Sequence, residues 1–86
     1  MSISKNGFDA DRAWDYIRQT ATEIALIHPG QGALNWAEAN RPELMLDIAT
    51  ARDGIRDAVH DQDNDKIVKA TGDWKAACVR LFEAYS

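Results

Sequence analysis

Between Pro42 and Tyr85 the apolar positions fall into two stripes of helical period. Leu44, Ile48, Ala51, Ile55 and Ala58/Val59 recur at steps of three and four, which places them on one face of a helix. Ile67, Ala70, Trp74, Ala77, Leu81 and Tyr85 repeat the cadence after the polar turn Asp61-Gln62-Asp63-Asn64. Asn40 is the expected N-cap of the first helix. Its side chain would accept from a free first-turn amide, Pro42 has no amide to satisfy, and Glu43 opposes the positive end of the helix dipole. Asp63 or Asn64 is expected to cap the second helix, with Asp65 in its first turn.

A short polar turn makes two helices antiparallel neighbours. Counting outward from the turn sets Trp74 opposite Ala51, Ile55 opposite Ala70, Ile48 opposite Ala77 and Leu44 opposite Leu81. Three of these four levels put a large side chain against a small one, the arrangement that fills facing layers without voids. Gly54 and Gly72 fall at one level. Each costs its helix about 0.5–1 kcal/mol relative to alanine. They are either a point of close helix approach or tolerated surface positions.

Upstream, Asp9 is the expected cap of a helix reaching about His28, with Phe8 folding back on Ala13 as a hydrophobic staple. Ala10, Ala13/Trp14, Ile17, Ala21, Ile24 and Ile27/His28 form its apolar face, and Pro29-Gly30 ends it. This helix is expected to cover the open groove of the hairpin. The connection from Gly30 to Asn40 has the weakest pattern; Asn35 could cap a single turn, Trp36 to Ala39. Trp36 reads as a plug at the bundle end, with an exposed anchor as the alternative. Met1 to Gly7 is polar and expected to fray. The fold class is therefore all-α: a small three-helix bundle built on a C-terminal antiparallel helical hairpin. Helices are expected at about 9–28, 41–60 and 64–84, with one extra short helical turn near 35–39, all in a single domain over 1–86.

Length and composition bound this picture. A chain of 86 residues, 45% hydrophobic with three Trp, can bury a modest core, and a dimer interface would help so small a bundle. A net charge of −4 argues against a sequence-independent grip on nucleic-acid phosphates or anionic membranes. Such a balance is ordinary for soluble bacterial proteins. Cys78 is the one cysteine, so neither an intramolecular disulfide nor a cysteine metal cluster can form, and a small buried thiol is expected. No segment has the length of a membrane span or the apolar run of a signal peptide, which suggests a cytoplasmic protein. The opening Met is expected of a complete chain or of a first domain.

Candidate chemistry is sparse. Asp61-Gln62-Asp63-Asn64-Asp65 starts like a calcium loop, but Lys66 stands where the loop needs glycine and Gly72 where it needs a bidentate glutamate. His60, Asp61 and Asp63 remain weak metal candidates, and the favoured reading assigns no metal. His28 and His60 stand at helix ends, where a protonated imidazole would interact with free carbonyls. Pro29-Gly30-Gln31-Gly32 follows a helix instead of a strand and lacks the Lys-Ser/Thr of a phosphate loop. The serines are Ser2, Ser4 and Ser86, all near the termini. No cofactor and no enzymatic activity are expected. Lys66, Lys69, Lys75 and Arg80 are offset by Asp63, Asp65, Asp73 and Glu83, with Lys69 and Asp73 placed to pair, so DNA binding is not expected.

The favoured function is protein–protein association, as an accessory subunit, adaptor or homodimer. Met45, Leu46, Val68, Val79 and Phe82 lie outside the main stripes, and Leu46, Phe82 and Trp36 are the interface candidates. The alternatives are a small-ligand or metal-binding regulatory domain at the His60/Asp61/Asp63 end, and a nucleic-acid accessory domain of a phage or mobile element.

Overall fold

Four helices account for nearly all of residues 7–86, the part of the chain that the computed structural model describes. They are α1 (Ala10–Ile27), α2 (Gln31–Asn40), α3 (Pro42–His60) and α4 (Asn64–Tyr85), with no strand among the described residues. The all-α class and the three long helices match the sequence reading. The bundle has one helix more than expected, because the single turn anticipated at 35–39 is a ten-residue helix. Apart from Gly7, the segment expected to fray lies outside the described residues.

The hairpin owes its geometry to the turn. Gln62 takes a left-handed φ of 54°, its amide donates to the Val59 carbonyl, and the Asp63 amide donates to the Ala58 carbonyl. These paired bonds are a Schellman closure, which satisfies the last free carbonyls of α3 and reverses the chain. Asp63 then caps α4 by accepting from the Lys66 amide at 3.1 Å. Ala70 and Gly54 meet across the hairpin: a Cβ on Gly54 would lie 3.6 Å from that of Ala70. Nothing stands within 4 Å of where a Gly72 Cβ would be, so Gly72 is a surface position and no close approach requires it. Lys69 and Asp73 pair at 3.0 Å as their spacing implies.

At the start of α3 the expected cap is displaced. Asn40 is the last residue of α2, where its side-chain amide donates to the Trp36 carbonyl, and Arg41 occupies the cap position without a side-chain capping bond to the helix amides. A helix C-terminus and a helix N-terminus share this corner, and Asn40 serves the first of them. Arg41 and Glu43 pair across it, which draws the Glu43 carboxyl below the ordinary range.

Two buried clusters join along α4. Phe8, Ala13 and Ile17 pack with Ile55, Ala58 and Ile67 at the turn end, so the two residues of the expected staple belong to one buried cluster. Ile24, Ala33, Ala37, Leu44, Cys78, Leu81 and Phe82 form the other cluster. These groupings make α1 parallel to α4 and antiparallel to α3. α2 lies across the far end, burying Ala33 and Ala37 completely, with Trp36 edge-on to Tyr85 at 5.7 Å. A Cβ on Gly32 would lie 3.1 Å from the Tyr85 hydroxyl, so this glycine is where α2 approaches closely. Trp36 is thus the half-buried plug at the bundle end.

Candidate functional site

α1 seats on α4, ties to it through Lys75 Nζ and Glu23 Oε1 at 2.6 Å, and makes no comparable contact with α3. The helix expected to cover the hairpin groove reaches both of its sides at the turn end, where Ala13 and Ile17 pack with Ile55 and Ala58 of α3 and Ile67 of α4. It nevertheless rests mainly on α4 and leaves an open cleft against α3. Its buried set, Ala13, Ile17, Thr20 and Ile24, is a narrow stripe. Trp14, one position from that stripe, stays 44% exposed beside the opening.

The cleft has a volume of about 580 Å³. Trp14, Ile17 and Ile24 form the α1 wall, and Ile48, Ile55 and Val59 the α3 wall. Trp74 and Cys78 of α4 form the floor, and Leu34, His28 and Phe82 close the α2 end. At a rise of about 1.5 Å per residue, the α1 wall runs roughly 15 Å and the α3 wall roughly 16 Å. Arg52 and Arg56, one turn apart on α3, border it. Arg56 is drawn toward Asp53 at 3.5 Å, whereas no carboxylate among the described residues pairs with Arg52. The lining contains two arginines and a histidine and none of the chain's 14 carboxylate side chains. A cleft free of carboxylates on a chain of net charge −4 is a local reversal of sign.

Two polar groups at the cleft are already engaged. His28 Nδ1 accepts from the Gly30 amide at 2.9 Å, and its ring stands edge-on to Phe82 at 4.9 Å. Through Nδ1, His28 is thus an acceptor engaged with the backbone that leads into α2. Cys78 is buried, as expected. Burial pushes its thiol above the ordinary range, and the nearby Arg52 charge offsets this only in part. Burial therefore favours the protonated thiol over the nucleophilic thiolate.

The residues singled out from sequence go to different places. Phe82 is buried in the core and forms part of the cleft end. Leu46 is 65% exposed on the outer side of α3, away from the cleft, and Trp36 is spent on Tyr85. Val68 is exposed, while Met45 and Val79 are half-buried. At the turn, His60 Nδ1 is 3.8 Å from Asp61, Asp61 is 3.4 Å from Lys66 Nζ, and Asp63 is occupied as a cap. These groups do not converge, and no cluster of three potential ligands able to hold a metal occurs among the described residues. Among those residues, too, no helix is long and apolar enough to cross a membrane. Sequence reading missed Trp14 and Arg52 as site residues. The available signal was the offset between Trp14 and the Ala13/Ile17 stripe, which widens the apolar face beyond what one neighbour can cover. No family model, no curated protein and no solved structure matches this chain.

Proposed function

We propose that the chain is a protein–protein interaction module, and that the α1/α3 cleft is where a partner docks a helix. The supporting observation is the shape and lining of the cleft: a long apolar trough with two helical walls and a helical floor. That is the vacant fourth seat of a four-helix arrangement. Its Trp14, Trp74, Arg52 and Arg56 are of the residue types that dominate binding energy at protein interfaces. A trough of roughly 15–16 Å matches about three turns of helix. A small molecule of suitable volume would lie exposed along the open side, whereas small-ligand sites enclose most of their ligand. Binding suits the polar groups here better than catalysis, since the thiol is protonated and His28 is committed to Gly30. We assign the module to the cytoplasm, where a lone thiol stays reduced.

The test uses the cleft's own reporters. Titration with an 18-residue synthetic helix carrying a leucine stripe and otherwise neutral polar residues is expected to shift the tryptophan emission saturably. It is also expected to raise the Tm, as anything binding only the native state does. Ile48→Glu, which places a charge on the α3 wall, is expected to abolish both effects while the helical circular dichroism persists. An unchanged titration in that variant would remove the cleft from the account.

A further inference from the structure

From the charge around the cleft we infer that its occupant is an acidic amphipathic helix of a different protein, with carboxylates one turn apart facing Arg52 and Arg56. This deepens the docking proposal and rests on it. The chain carries 14 acidic and 10 basic residues, yet the cleft lining takes two arginines and none of the acids. Arg52 has no carboxylate partner among the described residues, and the exposed Arg56–Asp53 contact at 3.5 Å is loose. A helix lying in the trough would bury its apolar stripe against Trp14, Ile48, Ile55 and Trp74. The residues flanking that stripe then pass Arg52 and Arg56, whose spacing of four matches acids at i and i+4. Guanidinium forks hold carboxylates in a fixed geometry, so the same pair sets register along the trough.

Charge also argues against a second copy meeting this one cleft to cleft. A two-fold axis would set Arg52 and Arg56 of both copies along one seam with no acid in the lining of either. The occupant is therefore a separate chain.

The test is fluorescence anisotropy at low salt with three labelled helices that share one leucine stripe. They differ in a single i, i+4 pair beside it: Glu/Glu, Gln/Gln or Lys/Lys. The Glu helix is expected to bind roughly fivefold more tightly than the Gln helix, and the Lys helix more weakly than either, with the differences shrinking as salt rises. The variant Arg52→Glu/Arg56→Glu changes only exposed residues and is expected to invert the order. Equal affinities for all three helices would overturn the acidic assignment while leaving helix docking intact. Failure of all three to bind would overturn both. Saturable binding of dodecanoate with no binding of any helix would reassign the trough to a small amphiphilic anion and overturn the helix as occupant.

Discussion

Cys78 reports on the cleft floor because it is the chain's one thiol and lies beneath Arg52. Its protonated form is favoured by folding, so its pKa is higher in the folded protein than in the unfolded chain. Such a group contributes stability below the unfolded value and loses it as pH rises through the folded one. In a pH series from 7 to 10, the Tm of the wild type is therefore expected to fall more steeply above roughly pH 8.5 than that of Cys78→Ala. Parallel curves would mean that the thiol ionises as freely in the fold as outside it. Thr71 is the other polar group wholly buried at α4. Its hydroxyl donates back to the Ile67 carbonyl at 2.6 Å, so it needs no further partner and is not an unfilled site.

Among the helices, the hairpin was legible because its periodicity, cap and turn all agree. Ile67 to Leu81 carries a strong stripe and Asp63 is a good cap, whereas the level count is off in detail: Gly54 meets Ala70, not Gly72, the residue expected at its level. α2 was largely illegible. Gly32, Asn35 and Asn40 are weak helix formers, no side chain caps its start, and its buried residues are two alanines rather than a stripe of large ones. Packing of Ala33 and Ala37 against Leu44 and Leu81 holds it as a helix, and that is a tertiary effect. The face each residue occupies also separates two interface candidates that looked alike in sequence. Leu46→Glu changes an exposed position and is expected to leave stability within about 0.5 kcal/mol. Phe82→Glu buries a charge among Ile24, Leu44 and Leu81 and is expected to cost on the order of 3–5 kcal/mol. Denaturant unfolding of the two variants checks both, and comparable losses would contradict the assigned faces.

At the scale of the molecule, the extents are 46 × 22 × 18 Å, an elongated bundle of nearly square cross-section. A helix with a narrow apolar stripe on such a bundle leaves part of its next face open. α1 does this: Ile17 and Ile24 go to the core, and Trp14 is left at the opening. Sequence reading identified the apolar excess and assigned it to association, but it looked for the excess on Leu46 and Phe82. The trough arises from the relative seating of α1 and α3, two helices separated in the chain by α2, and no local pattern encodes that seating. Other exposed apolar side chains, such as Leu26 and Val68, are scattered and need no partner.

The measurement that bears most directly on the account is backbone-amide NMR of the full chain, recorded with and without the acidic leucine-stripe helix. The largest shifts are expected to trace the trough, on Trp14, Ile17, His28, Ile48, Arg52 and the indole of Trp74. Leu46 and Val68 on the outer faces should stay unmoved. Shifts centred on Leu46 or Val68, or no saturable shift at all, would contradict the claim that the α1/α3 cleft is a docking groove.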